Sequence, residues 1–161
     1  MSDRNMNQEE DKSYFINLNL KIAHYLFIIL LGGQFLMVAF GVILVGERGV
    51  FFTKEASESA LYQLLPIISI GAVLLAWYIQ KFRMERLNKN LPTLKKVHHF
   101  RDTALMQAVF LEAANIFAIM VAIVTYTNLP YLFFGLGLMA FLWAYPSRRR
   151  FEREYGESLE V

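Results

Sequence analysis

The sequence predicts an all-α fold, an integral membrane four-helix bundle, and three observations lead there. Hydrophobic residues make up 56% of the 161 positions, above the roughly 45 to 50% of soluble chains even before glycine is added. Charged residues are only 19%, and they are segregated into short clusters instead of being mixed through the chain. Between the clusters lie four long apolar runs, at 22–45, 60–79, 104–125 and 129–145. Each falls within the range that crosses a hydrocarbon core about 30 Å thick at 1.5 Å per residue. Because the runs are continuous and longer than the roughly ten alternating residues of a membrane strand, they are read as helices.

Span one, 22–45, contains His24 and no other ionisable side chain; it follows the acidic cluster Glu9, Glu10 and Asp11 and exceeds the h-region of a signal peptide, so a retained anchor is expected. Span two, 60–79, is closed by Gln80, Lys81 and Arg83, and Pro66 inside it is expected to kink the helix. The loop 80–103 is expected to prolong spans two and three beyond the bilayer and to break between Asn88 and Pro92. Span three, 104–125, is interrupted only by Glu112. A tight turn at Asn128 and Pro130 leads into span four, 129–145, which Pro146 and the triplet Arg148, Arg149 and Arg150 stop. The triplet suits a stop-transfer signal facing water or anionic lipid.

Orientation follows from the Lys/Arg census. The N-terminal tail carries Arg4, Lys12 and Lys21, the loop 80–103 carries seven basic residues, and the C-terminal tail carries Arg148, Arg149, Arg150 and Arg153. Only Arg48 and Lys54 face the other way, a split of 14 to 2 that puts both termini in the cytoplasm. Tyr14, Phe15, Trp77, Tyr78, Trp143 and Tyr145 then fall at the cytoplasmic boundary and Phe51, Phe52, Tyr62, Tyr126 and Tyr131 at the opposite one, as aromatic belts do.

Several chemistries are excluded. The chain has no cysteine, hence no disulfide framework, thiolate metal site or cysteine nucleophile. A formal charge of +2, with basic residues abutting apolar spans, does not suit nucleic-acid binding. His24, His98 and His99 lack companion ligands at metal spacing and read as interfacial. No metalloprotease pair, glycine-flanked serine or phosphate-cradling loop is present, so no enzyme activity, catalytic residue, metal or cofactor is expected.

Glu112 is the outlier. It lies eight residues inside span three, roughly 12 Å from its start, where an ionised carboxylate is expensive. Gln34, Ser69 and Asn115 reach a similar depth, and Asn115, three residues on, shares a helix face with Glu112 that Ala108, Ala118 and Ala122 extend. Glu112 is expected to be a neutral acid hydrogen-bonded to Asn115 and, where the helices allow it, to Gln34 or Ser69. Such a layer holds helices in register; a titrating Glu112 would instead make it a proton or ion relay.

Two resemblances add to this. The stretch FLEAANIFAIMVAI, Phe110 to Ile123, resembles the ion-carrying helix of rotary-ATPase proteolipids over one span, while the glycine-rich partner helices of that family are absent. From Leu87 to Tyr155, the segment ALMQAVFLEAANIF after Arg101, the Thr127-Asn128 turn and the Pro146-Ser147-Arg148 run resemble a family of small bacterial four-span membrane proteins. That second resemblance implies the bacterial inner membrane and this topology, and brings no catalytic residues. The expected role is a structural or accessory subunit of a membrane assembly, with lipid, a second copy or other membrane proteins as partners; the alternative is an ion-coupled transport element using Glu112.

Overall fold

The computed structural model describes residues 2–46, 49–51, 53–54, 58–88, 90–157 and 159, with side chains from Tyr14 onward. Arg48, Phe52 and Lys89, and the side chains of Arg4, Glu9, Glu10, Asp11 and Lys12, lie outside the described residues. The described residues form five helices and no strand: α1 (Ser2–Val45), α2 (Ala60–Glu85), α3 (Thr93–Thr125), α4 (Pro130–Trp143) and α5 (Arg148–Tyr155).

The helix bounds follow local chemistry. No proline and no glycine precedes Gly32, so nothing stops α1 from running back through the segment read as an N-terminal tail, and the helix reaches 44 residues. Ser59 caps α2, its hydroxyl accepting from the Tyr62 amide at 3.3 Å. The break between α2 and α3 falls where Asn88 and Pro92 place it, and α3 starts directly after that proline. Tyr126, at φ 50°, ends α3 in the left-handed conformation. There the segment after α1 meets the turn: the Asn128 amide donates to the Val50 carbonyl at 2.9 Å, and the Asn128 side-chain amide to the Gly49 carbonyl at 3.1 Å.

Helix α3 is the centre, with α1, α2 and α4 all packed on it and α2 touching α4 less intimately. Its buried alanines, Ala104, Ala108, Ala118 and Ala122, let the neighbouring backbones approach closely. The outer surface is apolar: Leu36 and Ile43 on α1 and Ile67 on α2 are 75%, 76% and 66% exposed, whereas Gln34, Gln107 and Asn115 are buried. This inverts the arrangement of a water-soluble protein. Helices α1, α2 and α3 are long and apolar enough to cross a membrane, which marks a membrane protein. Helix α4 is apolar but has 14 residues, about 21 Å at 1.5 Å per residue, shorter than the run 129–145 because Leu129 precedes the helix and Ala144 caps it.

The C-terminal segment corrects the expectation of a plain tail. Ser147 caps α5, its hydroxyl accepting from the Arg150 amide at 3.2 Å, and Gly156, at φ 67°, closes it. The helix buries Phe151 against Val97, Phe100 and Leu159 at the end of the molecule that also holds the α2–α3 connection, here termed the polar end.

Candidate functional site: two buried polar clusters

The first cluster lies midway along the helices. Gln34 of α1 and Asn115 of α3 are buried, and the Asn115 amide nitrogen donates to the Gln34 Oε1 at 2.8 Å. The same Asn115 presses on α4. A Cβ added to Gly137 would stand 1.9 Å from the Asn115 Oδ1, so glycine is required for this close approach. One asparagine thus fixes three helices.

Glu112 and Ser69 do not join this pair, which corrects the hydrogen-bonded layer expected from the sequence. Asn115 turns inward, whereas Glu112, three residues earlier and about 100° of helix rotation for each, sits at the edge of α3 and is partly exposed. Its carboxylate lies beside α1: a Cβ on Gly33 would come 3.9 Å from the Glu112 Oε1, and one on Gly32 would meet open space. Ser69 is buried on the far side of α3, between α2 and α4, and its hydroxyl has no hydrogen-bond partner among the described residues.

The second cluster, at the polar end, was not expected. The Arg150 side chain is 5% exposed, and its guanidinium donates to the Glu154 carboxylate (2.7 Å), the Gln107 Oε1 (2.8 Å), the Gln80 Oε1 (3.1 Å) and the Ala144 carbonyl. The Gln80 amide nitrogen completes a ring by donating to Glu154 at 2.6 Å, and that of Gln107 donates to the Ala76 carbonyl at 2.7 Å. Arg150 is therefore not a solvated stop-transfer charge. The planar fork of donors gathers acceptors from α2, α3, α5 and the residue that caps α4, which a lysine's point charge does not match. A local signal existed: Arg150 and Glu154 are i,i+4, as are Phe151 and Tyr155, between a capping Ser147 and a closing Gly156. Gln80 and Gln107 carried no such signal.

Two of the three histidines are tied to the fold, and His98 is exposed. His24 is hydrogen-bonded to the Tyr145 hydroxyl, and the His99 Nδ1 lies 2.7 Å from the Tyr155 hydroxyl. Burial holds the His99 imidazole below its ordinary 6.5, the Arg83 guanidinium pushes the same way and the Asp102 carboxylate opposes. Burial also raises the Tyr155 phenol well above its ordinary range, with Glu154 adding to the effect. Glu157 is held low by its hydrogen bond to Lys96. Among the described residues no group of three His, Asp or Glu side chains is placed to hold a metal ion. Comparison with protein-family models, curated proteins and solved structures finds no match.

Proposed function

We propose that this chain is a four-span bundle of the bacterial inner membrane, with both termini in the cytoplasm, that serves as a structural or accessory subunit of a membrane assembly and performs no catalysis. The observation that carries the reading is the placement of Glu112. A carboxyl group midway along an apolar helix, partly exposed at the edge of the isolated chain and adjoining the open backbone of Gly32, leaves a polar notch against hydrocarbon. Such groups face protein or water in membrane proteins, and small residues beside them admit another helix. A neighbouring helix, from a second copy or a different membrane protein, covers the notch. The ion-relay alternative has less support, because the groups at the same depth, Gln34, Asn115 and Ser69, do not titrate in the working range.

Mild-detergent purification with native mass spectrometry tests this. Wild type is expected to carry a second chain that Gly32→Ile, which fills open space on α1, releases. A strict monomer with no co-purifying protein overturns the proposal. For the orientation, a cysteine introduced at Asn90 should react only from the cytoplasm and one at Ser57 only from outside; the reverse pattern would invert the topology.

A further inference from the structure

The seam between α2 and α4 has the shape and polarity of a binding site for an amphiphile. Its mouth, at the polar end, is a pocket of about 210 Å³ walled by Trp77 and Trp143 and lined by Gln80, Lys81 and Met84. Trp77 and Trp143 continue into a wholly apolar cavity of about 360 Å³ that includes Leu74 and Ala140. Leu74 and Ala140 in turn border a third cavity of about 270 Å³ that ends beside Gly137 and Ser69. The three share lining residues and so form one groove along the seam. Ala140 and Gly137 keep its α4 wall low, and Gly137 is fixed as glycine by Asn115. From Lys81 to Ser69 the groove runs about 18 Å along α2 at 1.5 Å per residue, close to one leaflet of a hydrocarbon core about 30 Å thick.

The mouth determines the headgroup. Lys81 is exposed and holds its ammonium 5.4 Å from the Trp77 ring centroid, and among the described residues it is the single charged one lining the pocket. Gln80, on the inner wall, is fixed by Arg150 and Gln107, and the Glu154 carboxylate behind it is engaged by Arg150. The field at the mouth is therefore positive, flanked by two tryptophans of the kind that sit at headgroup depth. We propose that this groove binds an anionic phospholipid, with the phosphate at Lys81 between Trp77 and Trp143 and one acyl chain lying along Leu74 and Ala140 toward Gly137. The proposal rests on the membrane placement of α2 and α4 and is independent of the partner notch, which lies between Glu112 of α3 and Gly32 of α1.

The test is native mass spectrometry of protein released from nanodiscs containing equal phosphatidylglycerol and phosphatidylethanolamine. Wild type should retain phosphatidylglycerol in preference. Lys81→Gln should reduce that preference about fivefold, the equivalent of roughly 1 kcal/mol for one basic residue at a membrane surface, and Lys81→Arg should keep it. Ala140→Phe, which fills the groove, should abolish retention of both lipids; if that variant does not fold, the two Lys81 variants decide alone. Excess inorganic phosphate should displace nothing. Equal retention of the two lipids by wild type, an unchanged preference in Lys81→Gln, undiminished retention in folded Ala140→Phe, or displacement by phosphate would each overturn the proposal. Lys81→Gln should leave chain association unchanged, so failure here and failure of the subunit reading are separable.

Discussion

The two polar clusters solve the same problem in different ways. Midway along the helices, Gln34 and Asn115 meet as two neutral amides in one 2.8 Å hydrogen bond. At the polar end, Arg150 and Glu154 form an ion pair inside a ring of amide and carbonyl acceptors. Surroundings explain the difference. Far from water an ion costs several kcal/mol that one partner does not repay, whereas an amide needs only a hydrogen bond. Within reach of water, with Glu154 12% exposed, the chain sustains an ion pair and uses its many donors to tie four helices together. The lesson is that the more extensively hydrogen-bonded of the two clusters lies where the apolar spans end.

That contrast breaks most easily at Arg150. Arg150→Ala leaves Glu154, Gln80 and Gln107 without their shared donor, and a loss of roughly 3 to 5 kcal/mol is expected, as for other broken buried pairs. Thermal unfolding in detergent, followed by far-ultraviolet circular dichroism, measures it; Arg150→Lys should recover only part of the loss, because an ammonium cannot meet the acceptors in the same plane. A shift no larger than that of an exposed arginine such as Arg148 would show the cluster to be incidental.

The mid-helix pair should answer to shape more than to charge. Gly137→Ala drives a Cβ into Asn115, and a cost of about 1 to 3 kcal/mol is expected from overpacking. Asn115→Ala in the same chain removes the collision, so the double variant should lose less than the sum of the two single changes. Additivity in that cycle would mean that α3 and α4 do not meet through Asn115.

Acidification sharpens the comparison, because its effects belong to the polar end. His99 is depressed below 6.5, so the unfolded chain binds the extra proton first and stability falls as the pH drops through and below 6.5. Glu157, depressed below its ordinary 4.5, adds a second loss below that value by the same sign rule. Unfolding followed from pH 8 to 5 should show the first decline in wild type and a flatter profile in His99→Asn. An equal slope in both would assign the decline to other groups.

The smallest effect is expected at Glu112. Glu112→Gln keeps size and hydrogen-bonding capacity, and because no described side chain is bonded to the carboxylate, stability should change by no more than about 0.5 kcal/mol. Wild type and variant should pass protons equally in liposomes under an imposed potential. A wild-type flux that Glu112→Gln abolishes would favour the relay reading over the subunit reading.

The positions of the apolar helices were written in the sequence, because hydrocarbon-length runs, Pro92, Pro130 and the Thr127-Asn128 turn act through local chain chemistry that needs no knowledge of the neighbours. That Gln34 and Asn115 stand out from their surroundings was legible for the same reason, polar groups being few in such runs. Which groups meet was not. A three-residue offset on one helix sends Asn115 to the core and Glu112 to the edge, and only the packing of α1 and α4 on α3 decides which face is which. The triplet at 148–150 shows the limit most clearly. Three adjacent arginines read alike as charges after a span, yet the turn at Ala144 to Ser147 folds α5 back so that Arg150 is buried among acceptors from three other elements while Arg148 and Arg149 stay exposed. Sequence determines what each segment needs locally; the meeting of Arg150 with Gln80 and Gln107, 70 and 43 residues away, is decided only when distant helices pack, because the burial that makes those contacts matter does not exist before they do.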